Sequence, residues 1–569
     1  MRASVTLTLL FVACAGVATG VPEPTPAAAP AVAPAAAAVP KPSAVVQDPT
    51  GLGPGPRWRG PRRPTAHNEV FATADGCAMC HSGAPRSTAM RSALGEDVSP
   101  HALWQASVMA NSFRDPYWRA QVAKEVAVAG SDVQALCQRC HAPMVHHGRR
   151  LAGQAPTTVA AAATDPLARD GVSCTVCHQI QPDGLGQPAT FSGQPSIDKS
   201  RRLYGPYAAP VAEPMQMFAG YQVQHGAHVQ SSALCGSCHT LQTGHTGTEF
   251  PEQTPYLEWR NSVFSDENGA TAESRTCQQC HMADLGRTRI ARNPGGGDFL
   301  IPVREPYRSH AFVGGNAFLL DLLAANRDAL GVVASEAALR RNALATRRLL
   351  AEDTVAITID EPVREGGQLR FAVRVDNLTG HKFPSGYPSR RAWLHVQVRA
   401  GNQVVWDSGG WTKDGRLADV ADEQRQPHRT RVTSRDQVVV WELVAADPEG
   451  EPTTYLSRMH RREKDTRLLP KGWRRDGPHA ADTAPVGIGT DVDFTAGGDA
   501  VDFEVPLAAD APAATVVAWV RYQTIPPHWV DPLRTVDADE CRTFVALYDA
   551  ADKTPETCGV AMRAEARRQ

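Results

Sequence analysis

Cys235-Gly-Ser-Cys238-His239 is a pentapeptide whose pattern occurs four more times in the chain. The others are Cys77-Ala-Met-Cys80-His81, Cys137-Gln-Arg-Cys140-His141, Cys174-Thr-Val-Cys177-His178 and Cys277-Gln-Gln-Cys280-His281. These five copies take up ten of the 13 cysteines. Two thiols three residues apart on a turn entering a helix point the same way, so each can add to one vinyl group of a single haem. The next residue then sets an imidazole against the iron. The spacing therefore predicts five covalent haem c groups, with His81, His141, His178, His239 and His281 as proximal iron ligands. Redox disulfides and zinc sites also use Cys-x-x-Cys, but a redox pair needs no following His. Zinc needs two such pairs per ion, and five pairs is an odd number.

Working outward from the motifs, Cys77 to His281 spans 205 residues. So little protein per haem places neighbouring cofactors close together, as a path for electrons requires. The intervals between first cysteines are 60, 37, 61 and 42. That alternation suggests a two-haem unit repeated twice.

Of 19 histidines, fourteen lie outside the motifs, which is ample for five distal ligands. His101 follows Ser99-Pro100 at a helix start, with Trp104, Val108 and Met109 on its face. His228, ahead of the fourth motif with His225, is expected to ligate a neighbouring haem. His310 sits just past the haem region. His381 lies in the Gly/Pro-rich segment from Asn377 to Trp393, a shaped loop between two strand-like runs, from which it could reach back to a haem. His146 and His147 are adjacent and precede Arg149 and Arg150, and read as solvent-facing. His67 lies at the foot of a linker.

The flanks set the rest. A formal net charge of −2 gives no electrostatic case for nucleic acid as a partner. Each ferric bis-histidine haem c would add about −1, taking the loaded protein to roughly −7, a mildly acidic carrier that attracts basic redox proteins. Residues 1–20 read as an export signal, with an apolar run from Val5 to Val12 too short to span a bilayer. Phe11-Val12-Ala13-Cys14 resembles a lipobox, so Cys14 is a possible lipid anchor. Residues 21–66, rich in Ala and Pro, read as a disordered linker. A pentahaem domain follows over 67–315. A helical connector spans 316–352, with Phe318, Leu319, Leu322 and Leu323 at helical spacing. Gly331 divides it, and Ala337 and Leu344 share a face beyond. Period-two runs then predict a β-sandwich over 353–525, with about seven strands. They include Val355/Ile357/Ile359, Leu369/Phe371/Val373/Val375, 393–398, 403–406, 437–443 and 514–521. Residues 526–569 form a C-terminal tail, where Cys541 and Cys558 are expected to pair as a disulfide. The fold class is thus α + β multidomain.

The motifs, together with His101-Ala-Leu-Trp-Gln-Ala-Ser-Val-Met109, Asp115-Pro-Tyr-Trp118, Asp170-Gly-Val-Ser-Cys174, the stretch from Ser231 to His239, Phe250 to Trp259 and the Gly380–Arg391 loop, resemble the multihaem c-type cytochromes. More narrowly, the chain is similar to long periplasmic or outer-membrane chains grouped with the nitrifier tetrahaem cytochrome. The resemblance implies bis-histidine haems and electron transfer in the cell envelope, periplasmic or at the outer membrane and cell surface, with other haem proteins as partners. It assigns no catalytic residue. An enzyme reading stands beside it: pentahaem nitrite reductases share the haem number and compartment. Their active haem usually has a proximal Lys, whereas all five motifs here end in His. A third reading is a surface conduit subunit that docks a partner through its β-domain.

Overall fold

A computed structural model describes residues 66–565 except 245, 246 and 248. The export signal, Cys14 and the linker up to residue 65 lie outside the described residues.

Each motif occupies a short helix, as a thiol spacing of three demands. The helices are Asp75–His81, Val133–His141, Cys174–Cys177, Ser232–Gly236 and Cys277–His281. The fourth motif runs off the end of its helix. The last helix is opened by a capping box: Thr276 accepts from the Gln279 amide, and the Gln279 side chain accepts from the Thr276 amide. Between motifs the chain is mostly irregular. The chief exception is the helix Pro116–Ala129, started by Pro116 and by the Asp115 carboxylate, which accepts from the Tyr117 and Trp118 amides. This helix is buried on two sides. Trp118 and Val122 pack with Phe113, Met144 and Val145 near the second motif. Tyr117 and Ala120 pack with Phe544 and Tyr548 of the helix Asp539–Ala550.

Lys124 and Glu125 on the same helix are buried with it. Lys124 Nζ donates to the Thr454 carbonyl at 2.7 Å. The Glu125 carboxylate accepts from the Leu456 and Ser457 amides and the Ser457 hydroxyl at 2.7–2.9 Å. A helix of the haem region thereby receives a turn from the β region, and the described residues belong to one compact unit.

The connector comprises helices Ala317–Ala325, Arg327–Leu330 and Glu336–Glu352, with Gly331 left-handed at φ +64° where the break is expected. Ala337 and Leu344 do share a face, but it is the solvent face, Leu344 being 56% exposed. The buried stripe is Leu339, Asn342, Ala343, Thr346 and Leu350. Asn342 Nδ2 donates to the Ala106 and Ala311 carbonyls, so a polar residue marks the packed side.

The β region has twelve strands: β1 (Val355–Ile359), β2 (Val363–Glu365), β3 (Gln368–Asn377), β4 (Arg391–Ala400), β5 (Gln403–Ser408), β6 (Arg431–Val432), β7 (Val440–Ala446), β8 (Pro452–Thr453), β9 (Arg461–Asp465), β10 (Gly498–Pro506), β11 (Ala514–Gln523) and β12 (Glu556–Ala564). One sheet runs β8-β7-β4-β11-β12, with β5 on β4 and β9 on β7; the other runs β6-β10-β3-β1, with β2 on β3. All pairs are antiparallel except the short β6/β10 pair. Leu369, Phe371, Val373 and Val375 of β3 point inward against Leu394, Val396 and Val398 of β4 and Val516, Ala518 and Val520 of β11. Each such side chain contributes roughly 1.5–3 kcal/mol by leaving water. The region has twelve strands where about seven were expected.

The segment after 525 is not a tail. β12 pairs with β11 along eight positions, and the helix Asp539–Ala550 packs on Tyr117 and Ala120. Nor do its cysteines pair: Cys541 and Cys558 are both buried free thiols. Cys541 Sγ faces the Ala120 carbonyl at 3.4 Å in the helical cluster, while Cys558 sits in the sandwich core. The two thiols belong to different layers. Among the described residues, no helix is long and apolar enough to cross a membrane.

Candidate haem sites

Four of the five motif histidines are held in one recurring way. His141 Nδ1 donates to the Ser112 carbonyl at 3.1 Å, and Ser112 Oγ returns a bond to the His141 carbonyl. His178 Nδ1 donates to the Tyr204 carbonyl at 2.7 Å, and the Tyr204 amide donates back to the His178 carbonyl. His281 and Val313 repeat this exchange, with the ring bond at 2.7 Å. His81 Nδ1 donates to the Ile290 carbonyl at 2.9 Å. A carbonyl oxygen can only accept, so the proton in each ring is on Nδ1 and the lone pair is on Nε2. That is the tautomer and orientation an iron ligand needs. Burial pushes the conjugate acids down, His141 and His281 to about 4, with His239 adding to the effect at both and His381 at His281. These imidazoles are neutral at neutral pH and can donate electron pairs. Trp118 lies parallel to the His141 ring at 4.6 Å and 6°.

His310 and His381 show the same arrangement outside any motif. Their Nδ1 atoms donate to the Arg308 and Lys382 carbonyls at 3.0 and 2.8 Å. The His381 ring lies 6.3 Å from that of His281, centroid to centroid, with planes 2° apart. An imidazole nitrogen sits ~2 Å from a bound metal and ~1 Å from its own ring centre, so two axial imidazoles on one iron have centroids ~6 Å apart. The donor set at His281 and His381 fits a shared iron. His310 is pushed down to about 4 by burial, then by His178, with His81 a smaller influence. His101 is also near 4, from burial and His81 against the opposing pull of Asp97. His101 and His310 therefore stand in the space around His81 and His178.

The His381 loop is clamped from both sides. Asn377 Nδ2 and Thr379 Oγ1 donate to the His381 carbonyl at 2.8 Å each. The next residue, Lys382, is fully buried. Its Nζ meets Asp465 Oδ2 at 2.6 Å, and its amide donates to Glu258 Oε2 at 3.1 Å. Arg467 bridges Asp465 (2.8 Å) and Glu258 (3.1 Å). Burial alone would raise the Glu258 and Asp465 carboxyls; the surrounding Arg467 and Lys382 outweigh it and hold both below their ordinary range. Glu258 belongs to the helix Pro255–Arg260 of the haem region. An ion network thus fixes the β-region loop against the haem region.

The thiols show how the motifs meet. The Cys174 thiol lies beside that of Cys77, Cys235 beside Cys277, and Cys238 beside Cys140. Cys177 lies near Cys238, and burial pushes its thiol up to about 12. The first motif therefore touches the third, the third neighbours the fourth, and the fourth touches both the second and the fifth. This is one connected set, and it is not the sequential two-haem repeat that the intervals suggest.

His228 Nε2 donates to the Ile180 carbonyl at 2.9 Å, with the ring edge-on to Tyr204. His225 is exposed, as is His67. His147, expected to face solvent, is by contrast 2% exposed. It stands edge-on to His146 beside a cleft of about 580 Å³ lined also by Arg139, Arg149 and Arg150. Burial, His146, Arg150 and Arg139 push it down to about 3. The amphipathic helix Pro143–Leu151 that turns His147 inward is the signal that sequence reading passed over.

No family model and no curated protein matches the chain. Among solved structures, the chain is similar to a penta-haem cytochrome c552 from Thermochromatium tepidum at 16% identity and a TM-score of 0.51, with 87% of this chain and 99% of the other covered. At that identity the likeness concerns the fold alone.

Proposed function

We propose that the chain is a pentahaem c-type cytochrome that passes electrons in the cell envelope between redox protein partners. The observation that carries this reading is the connected set of five Cys-x-x-Cys-His turns. Bound haem supplies a one-electron iron couple at each turn. The protein contributes the thiol anchors, neutral imidazoles with the lone pair on Nε2, and Nδ1 bonds that tune each ligand's basicity. His281 and His381 are the two imidazoles best placed to share one iron. His81 with His101 and His178 with His310 follow from their proximity.

The test is the covalent haem count with the spin state. The intact chain should carry five haems by mass and by pyridine haemochrome absorbance. Replacing Cys174 and Cys177 by Ala should leave four. A variant that kept five would sink the assignment. A second reading, reduction of a small oxyanion at an open iron, draws on the arginine-lined cleft beside the second motif. Electron paramagnetic resonance of the oxidised protein separates the two. A high-spin signal that shifts with nitrite or hydroxylamine supports the enzyme; five low-spin irons indifferent to both support the carrier.

A further inference from the structure

Away from the haem motifs, the sandwich gathers three metal-ligating side chains from distant parts of the sequence. His428 precedes β6, Asp491 lies in the loop before β10, and Asp499 is in β10 itself. One donor atom from each lies within 4.8 Å of the other two. The side chains of His428 and Asp491 are 4% and 1% exposed, and Asp499 is fully buried.

The supporting bonds aim these donors at one another. Asp491 Oδ1 accepts the Asp493 and Phe494 amides at 2.7 and 3.2 Å. That turns Oδ2 toward His428 Nε2, 2.5 Å away. Asp499 Oδ2 accepts from Trp441 Nε1 at 2.9 Å, which leaves Oδ1 to the cluster. That Oδ1 has no side-chain hydrogen-bond partner. An unpartnered polar atom this deep is costly and calls for an explanation. The charge is also out of balance. Two buried carboxylates, with Asp493 beside them, face one imidazole, and the neighbouring Lys464 is engaged with Glu442 at 2.9 Å.

We propose that His428, Asp491 and Asp499 bind one divalent first-row metal ion, zinc being the probe of choice, which pins the segment before β6 and the loop before β10 to the sandwich. One imidazole nitrogen with carboxylate oxygens is a donor set for zinc-like ions. Calcium takes six to eight oxygens, and the carboxylate oxygens here are partly spent on amide and indole N–H groups. Those N–H groups are the outer shell that orients ligating carboxylates. Three protein donors leave a fourth position for water. The site lies apart from the haem assignment and does not depend on it.

The full-length haem-loaded protein is stripped with chelator, titrated with zinc chloride, desalted, and analysed by elemental mass spectrometry with haem iron as internal standard. One zinc per chain is expected. The melting temperature should rise with zinc, and retention should fall at least tenfold in Asp499→Asn and in His428→Ala, with haem absorbance unchanged. Zinc retained equally by the variants would overturn the site, as would a wild-type chain that retains none and melts unchanged. Stabilisation by calcium alone would overturn the donor-set assignment. Should the variants not fold, zinc absorption spectroscopy on the wild type decides. A shell of one imidazole nitrogen and carboxylate or water oxygens upholds the site, and one of sulfur or several imidazoles refutes it.

Discussion

At the scale of single residues, the proposed proximal ligands are legible because the chemistry of haem attachment fixes their spacing: thiol, two residues, thiol, imidazole. Distal ligands have no such covalent constraint. They arrive from wherever the fold brings them, and only local context marks them: a helix start with an apolar face for His101, a Gly- and Pro-shaped loop for His381. His228 and His147 show the difficulty, since the sequence marks neither the bond of the first to the Ile180 carbonyl nor the helix face that buries the second. His381→Ala should convert one low-spin haem to high spin, visible by electron paramagnetic resonance, with the covalent haem count unchanged. Five low-spin haems in that variant would break the His281–His381 pairing. A second residue-scale expectation concerns Glu252, which is 1% exposed and has an unpartnered Oε2. Burial pushes its carboxyl up to about 8. In the unfolded chain the group ionises near pH 4, whereas in the fold it stays protonated until near 8. The folded state binds the extra proton across that window, so the group's contribution to stability declines as pH rises through it. Glu252→Gln removes the titration. It should gain up to about 3 kcal/mol over wild type at pH 7.5 and much less at pH 5, read from urea midpoints. Equal shifts at both pH values would count against a protonated Glu252.

At the scale of elements, period-two runs read well where one face is buried. β3 alternates buried and exposed along its whole length, and its residues were named correctly. The same logic applied to β10, where Val501, Phe503 and Val505 alternate with Asp502 and Glu504; the acidic neighbours hid that run. β12 was hidden for another reason. It is an edge strand, with Val560 and Met562 exposed at 60% and 68%, so no core pattern marks it. Helical faces were less legible. On Glu336–Glu352, Ala337 and Leu344 drew attention as apolar residues, yet the packed stripe includes Asn342 and Thr346. A matched pair of substitutions tests this. Phe371, 5% exposed and stacked on Phe503 at 5.1 Å, should cost about 3–5 kcal/mol when changed to Ala. Leu344→Lys, on the solvent face, should stay within about 0.5 kcal/mol of wild type. Denaturant midpoints give both, and a large loss at Leu344 would mean the face is covered.

At the scale of the whole molecule, the sequence suggested separable pieces because composition changes sharply at each boundary. Contacts between the pieces leave no such mark. The helix Pro116–Ala129 is packed by residues more than 400 positions later, and its Lys124 and Glu125 bind backbone groups of Thr454, Leu456 and Ser457. Buried charges in such places read in sequence as ordinary surface residues. Glu258 makes the sharpest test of this integration. Its carboxylate receives the Thr254 and Ser385 hydroxyls, the Lys382 amide and the Arg467 guanidinium. Glu258→Ala would leave Lys382 and Arg467 sharing Asp465 alone in a dry site, an uncompensated buried charge worth about 3–5 kcal/mol. Glu258→Gln keeps the shape and some hydrogen bonds and should lose less. Because Lys382 adjoins His381, the damage should not be confined to stability. The Ala variant should show a fraction of one haem turned high-spin, and that fraction should grow with mild denaturant before the remaining haem signals change. If stability fell while all haems stayed low-spin up to global unfolding, the ion network would hold the two regions together without setting the position of His381.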